Sequence, residues 1–247
     1  MILNWAEGPY TDEEKLIGAL YDAGVIRRSD LMLHLLRWKR SKFDNHLLEL
    51  RKREMLVTAR DREGSTVYML AANGVRAAHQ LCHTEGKIVT MGAQISHQIG
   101  VNDILLRLLK AHGREGVRWW STREASDSLW DLRKKVGNSD TDIRRTYIRP
   151  DAAIWVQGKG TFFLEYDNAT ESSKQLRKKY SLYVTNLREV KDRRAQRVMW
   201  VAPTEARTRW LQSKWDEIRF KSNIEMQFYT AGEETAVLAG TEEKARV

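Results

Sequence analysis

Residues 149–167 read RPDAAIWVQGKGTFFLEYD, and this stretch decides the fold of the larger part of the chain. Two apolar runs rich in aromatic and branched residues, Ala152 to Val156 and Thr161 to Asp167, flank the turn-like Gln157-Gly-Lys-Gly160. The pattern predicts an antiparallel hairpin with carboxylates at its open end. Alternate strand side chains share a face, so Glu165 and Asp167 point the same way. Asp151 joins that face only under a particular pairing. With Val156 opposite Thr161, Asp151 falls on the other side of the sheet. A one-residue shift or a bulge sets it opposite Glu165 or Asp167, and that shifted register is the expected one.

Converging carboxylates repel one another, and a bound cation is the usual way to keep all of them ionised. An oxygen-only donor set suits Mg²⁺ or Mn²⁺, ions that activate water and neutralise charge developing on a phosphodiester. Asp151, Glu165 and Asp167 are therefore the expected metal ligands and catalytic acids. A plain structural role is open to the same residues: Asp167-Asn168 can form a turn, and Thr170 can cap the next helix.

Working outward, the C-terminal side predicts a helix over Glu171 to Val190, a strand over Arg197 to Val201, a helix over Thr204 to Asp216 and a strand over Ile224 to Tyr229. On the N-terminal side, Ile95, Ile99, Ile104, Leu105, Leu108 and Leu109 recur at helical spacing between Gln94 and His112. A short strand over Val117 to Trp120 follows. Residues Ser121 to Thr146 form a charged excursion with a helix around Asp127 to Lys135. Together these give an α/β (α+β) domain over residues 94–232, with a polar tail at 233–247 that is free to fray.

Residues 1–84 read differently. Thr11-Asp-Glu-Glu14 is a capping-box pattern, after which Leu16, Ile17, Leu20 and Tyr21 mark a helix that Gly24 stops. A second helix runs from about Ser29. Ser41-Lys-Phe-Asp44 is a looser capping pattern, opening a third helix with Phe43, Leu47, Leu48 and Leu50 inward. Asp61-Arg-Glu-Gly64 then signals a hairpin, and a helix from Asn73 to about Leu81 closes the segment. Three helices followed by a hairpin is the order of a winged helix-turn-helix DNA-binding domain. Its third helix would offer Lys42, Asn45, His46, Glu49 and Arg53 to base edges or backbone, and the wing would offer Arg60 and Arg62 to phosphates. An ordinary solvated helix face has the same composition. His79, Cys82 and His83 lack a fourth ligand nearby and read as packing or surface residues. Residues 85–92 form the expected connection.

The 247 residues carry 42 Lys and Arg against 33 Asp and Glu, a net charge of +9 that favours a polyanionic partner. The single cysteine, Cys82, excludes an intramolecular disulfide. No signal-peptide pattern opens the chain and no apolar run approaches a membrane span, so a soluble, cytoplasmic protein is expected, with no membrane partner. No phosphate loop of the Walker type occurs, which argues against ATP hydrolysis.

The order helix, strand, Pro-Asp strand, Glu-x-Asp strand, helix, strand over about residues 94–201 resembles the core of PD-(D/E)xK restriction-endonuclease-like domains. In that resemblance Asp151 and Glu165 match the metal-binding acids. Asp167 stands where the family usually has lysine, and Lys174 or Lys178 on the following helix could supply a displaced ammonium. Asp103 or Glu124 could add a further acid, whereas His97 reads as packing or capping. With the N-terminal segment, Arg149-Pro-Asp151, Phe163-Leu-Glu-Tyr-Asp167, Lys179-Tyr180 and Tyr183, the chain is similar to the replication-relaxation family of plasmid and mobile-element proteins. It also resembles MobC-type relaxases, which likewise depart from Glu-x-Lys. The resemblance implies metal-dependent nicking or relaxation of double-stranded DNA at a plasmid or mobile-element origin, with a homodimer possible. No His-x-His cluster with a partnered tyrosine is present, which disfavours a covalent tyrosine relaxase. The rival is a non-catalytic DNA-binding initiator or regulator using the same fold as a dimerisation or docking platform. A toxin-like RNA-binding regulator has little specific support.

Overall fold

The computed structural model describes residues 2–84, 94–190, 196–221 and 223–239. The chain divides into two compact units, Met1–Leu106 and Arg107–Val247. The expected connection at 85–92 lies outside the described residues.

In the first unit, α1 (Asn4–Glu7) precedes α2 (Asp12–Ala23). Thr11 caps α2 as its sequence requires: its hydroxyl accepts from the Glu14 amide, and the Glu14 carboxylate accepts from the Thr11 amide at 2.8 Å. Strand β1 (Ile26–Arg27) leads into α3 (Arg28–Asp30), which continues as a π-helical segment, Leu31–Leu36, ending at Arg37 in the left-handed region. Helix α4 (Arg40–Lys52) follows. Its N-cap is Lys39 and makes no side-chain bond, so the Ser41–Asp44 capping pattern is not used. Asp44 is instead drawn to the guanidinium groups of Arg28 and Arg40.

Strands β2 (Leu56–Arg60) and β3 (Thr66–Leu70) form the hairpin, and α5 (Ala72–Leu81) closes the motif. At the turn the Asp61 carboxylate accepts from the amides of Glu63 and Ser65, while Gly64 supplies a φ of +80° that a side chain would strain. Both β1 and β2 pair antiparallel with β3, giving the order β1-β3-β2. Leu16, Leu20, Leu31, Phe43, Leu50 and Val67 fill the core. Helix α6 (Ile95–His112) begins within this unit, where Ile99 packs on Val25, Val67 and Met69 and the Asn102 amide donates to Ala23 O at 2.9 Å.

The second unit is a five-stranded sheet of order β4-β5-β6-β7-β8. Strands β4 (Val117–Ser121), β5 (Ala152–Val156) and β6 (Gly160–Tyr166) form an antiparallel meander. Strands β7 (Arg197–Ala202) and β8 (Glu225–Thr230) continue the sheet in parallel with β6. Parallel neighbours need crossovers, and α9 (Ser173–Leu187) and α10 (Glu205–Asp216) supply them. Leu176, Tyr180, Tyr183 and Leu187 of α9 pack on Phe163, Val198 and Trp200 of the sheet.

The excursion between β4 and β5 holds α7 (Thr122–Lys135) and α8 (Asp140–Arg145). Helix α7 starts five residues earlier than expected, because Ser121 and Glu124 make a second capping box. Within the expected tail, Glu233–Ala239 form α11, whose buried Glu234 carboxylate accepts from Arg107 Nε at 2.6 Å; residues 240–247 lie outside the described residues. Among the described residues no helix is long and apolar enough to cross a membrane.

Candidate active site

The hairpin register decides whether the acids meet. Ala152 pairs with Leu164 and Val156 with Gly160, the shifted register that was expected, and the ladder ends there with Asp151 one residue beyond it. The Asp151 amide donates to Leu164 O at 2.9 Å, and the Asp151 carboxylate accepts from the Tyr166 amide at 2.8 Å. The Asp151 charge acts on both the Glu165 carboxyl and the Lys179 amine, so the two acids are neighbours.

Glu165 is wholly buried. Its Oε1 accepts from the Tyr183 hydroxyl at 2.5 Å, and its Oε2 lies 2.7 Å from Lys179 Nζ. Burial pushes the Glu165 carboxyl up to about 8 and the neighbouring Asp151 charge adds to the rise, against the pull of Lys179 and Tyr183. Burial alone would lower Lys179, but the carboxylates of Glu165, Asp151 and Glu171 outweigh it and hold the amine above the usual lysine range. The surrounding acids thus favour the charged form of Lys179. Burial and the adjacent Glu165 likewise push the Tyr183 hydroxyl well up, so it remains a donor.

Asp167 goes elsewhere. One of its carboxylate oxygens accepts from the Ala169 amide at 2.9 Å and the other from Arg207 Nε at 2.7 Å. Arg207 also donates to Glu171 O at 2.8 Å, tying α10 to the segment that opens α9. Among the described residues no three His, Cys, Asp or Glu side chains form a group able to hold a metal ion. The expected three-acid cluster is thus an acid pair, with Asp167 serving an ion pair in place of a shared cation. Two carboxylates still match Mg²⁺ or Mn²⁺, since Mg²⁺ commonly takes one or two and fills its shell with water and substrate phosphate.

The cation paired with Glu165 is Lys179, while Lys174 and Lys178 lie on the exposed side of α9. Residue 179 falls one helical turn before Tyr183, so both reach Glu165 from the same face. That i, i+4 spacing was visible beside the strand acids. Asp103 pairs with Arg27 at 2.8 Å within the first unit, and Glu124 caps α7. His97 is half-buried on α6. His79 packs edge-on against Tyr21, a packing role.

A family model described as replication-relaxation matches residues 21–199, well over half of the chain. The chain belongs to the replication-relaxation family. No curated protein and no solved structure matches it. Membership supports a role in plasmid or mobile-element replication.

In this replication-relaxation protein the residues expected to meet DNA divide into two sets. Lys42 pairs with Asp12 at 2.7 Å and lies over the Trp38 ring, and Arg53 pairs with Glu13 at 2.6 Å. His46 also faces Asp12, at 3.8 Å. These three are turned toward the acidic first turn of α2. Asn45 and Arg62 are exposed, and Arg60 reaches back to Gly64 O at 2.9 Å within the wing. Arg40, which the sequence reading passed over, lies exposed at the start of α4.

Proposed function

We propose that this replication-relaxation protein binds double-stranded DNA through its first unit and cleaves one strand at Asp151, Glu165 and Lys179 in the second. The observation that carries the reading is the charge contact of Asp151 with the buried Glu165, with Lys179 2.7 Å from the latter. Helix, meander, crossover helix and parallel strand follow the order of a PD-(D/E)xK core, with the lysine supplied by α9. In the first unit, the succession of α2, α3, α4 and a wing, with β1 completing a three-stranded sheet, supports a winged helix. DNA in the cytoplasm, at a plasmid or mobile-element origin, is the proposed substrate.

Asp151 and Glu165 would hold Mg²⁺ or Mn²⁺, which when bound supplies an activated water and offsets charge on the phosphate. The chain's own groups do the rest. The Tyr166 amide and the Tyr183 hydroxyl fix the two carboxylates in place. Lys179 offers its ammonium to a non-bridging phosphate oxygen as negative charge grows there. Arg207 keeps Asp167 out of the site.

The test is nicking of supercoiled plasmid bearing the cognate origin, with Mn²⁺ or Mg²⁺. Conversion to open circles is expected, with loss of at least about a hundredfold in rate in Asp151→Asn and Lys179→Ala. Origin binding without any metal-dependent nicking would establish the rival reading, a non-catalytic DNA-binding initiator whose acids serve only in ion pairs.

A further inference from the structure

A cavity of about 400 Å³ opens beside the acid pair, lined by Tyr147, Ile148, Arg149, Glu171, Gln175, Lys178, Lys179 and Leu182. Its apolar lining comes from buried Ile148 and half-buried Leu182. Its polar edge carries three cations against one carboxylate, and that carboxylate, Glu171, is already engaged by Lys179 at 3.1 Å. The excess positive charge selects an anionic occupant. The aromatic ring selects a flat one. Tyr147 is 40% exposed, yet it is held by an edge-to-face contact with Trp130 at 6.4 Å and by the Arg149 guanidinium over its ring at 5.8 Å. An exposed ring backed in this way is a ready stacking platform, and an arginine beside it suits a phosphate. The volume lies in the range that encloses one small molecule rather than a helix. Lys179 belongs to both the cavity and the Glu165 contact, so an occupant of the cavity is led to the acids.

We propose that this cavity receives one unpaired nucleotide of a DNA strand, its base stacked on Tyr147 and its phosphates against Arg149 and Lys178. The phosphodiester next to that nucleotide then falls at Asp151, Glu165 and Lys179. The identity of the strand as a cleavage substrate rests on the reading of the acid pair; the binding of an unpaired nucleotide does not. The protein would hold a strand that is already open or that opens on binding, and would favour single-stranded tails over blunt duplex.

The test uses the full chain in EDTA, with fluorescein-labelled oligothymidylate and a blunt hairpin duplex read by fluorescence anisotropy. Tyr147→Ala and Lys178→Ala are each expected to weaken oligothymidylate binding about tenfold. Tyr147→Phe keeps the stacking surface and keeps the affinity. Arg209→Ala removes an exposed cation on α10 outside the cavity and changes affinity less than about twofold. Unaltered melting of Tyr147→Ala confirms that its loss is not unfolding. Oligothymidylate binding unchanged in Tyr147→Ala, or lost in equal measure on the blunt duplex, overturns the inference. If that happens while Asp151→Asn still abolishes nicking, the cleavage reading stands alone. If Tyr147→Ala loses the tenfold in a protein that never nicks its origin, the cavity stands and cleavage falls.

Discussion

Glu165 places a carboxyl with no solvent exposure between a cation, a phenol and a second acid. Its native carboxyl titrates at about 8 against an ordinary 4.5, so the folded state keeps a proton that the unfolded chain has lost. The stability this gives is fully present below pH 4.5 and is lost as pH rises through about 8. Melting temperature is expected to fall with pH across that window, and Glu165→Gln should flatten the slope while leaving the Tyr183 hydrogen bond an acceptor. An equal slope in both proteins would contradict the assignment. Arg207 and Asp167 form the other buried pair. Removing the cation alone strands a charge in the interior, so Arg207→Ala should cost roughly 3 kcal/mol in denaturant unfolding, and adding Asp167→Asn should recover part of it. Asp151 and Glu165 were legible as partners because strand alternation and hairpin register are one-dimensional rules. The destination of Asp167 was not legible, because Arg207 lies 40 residues away and meets it only through the crossover.

Helix α4 and the β2–β3 hairpin differ in which of their cations are already paired within the chain. Arg53 already neutralises Glu13, and Lys42 neutralises Asp12, whose carboxyl is held below its usual range chiefly by that lysine. Arg62 on the wing is exposed. In a salt titration of duplex binding, Arg62→Ala should lower the salt slope by about one, and Arg53→Ala by much less. Equal slopes for the two variants would count against the wing as a phosphate contact. At this scale the sequence was informative where a local pattern is self-contained. The Thr11 and Asp61 motifs form as written, since each closes hydrogen bonds within a few residues. Ser41–Asp44 failed because Asp44 had a stronger partner in Arg28, from an element earlier in the chain. The π-helical turn at Leu31–Leu36 has no periodic signature that apolar spacing could expose.

Across the molecule, the alternation of helix and strand from Ile95 to Thr230 was read from periodicity, and the parallel addition of β7 and β8 follows from the long helices that precede them. What periodicity could not place was the division of the chain, which falls at Leu106/Arg107 inside a helix, where no change of composition marks it. Nor could it foresee α11, whose buried Glu234 meets Arg107 from far earlier in the chain.

The arrival of Lys179 from α9 has a consequence for recognising such proteins. A pattern that demands lysine two places after the strand glutamate passes over this chain, because that place holds Asp167 and a lysine there would meet Arg207, cation against cation. The ammonium cannot simply be moved back: Asp167→Lys would need Arg207→Asp in the same molecule. In this chain Glu165 is thus matched to a lysine one helical turn ahead of a tyrosine, rather than to its neighbour on the strand.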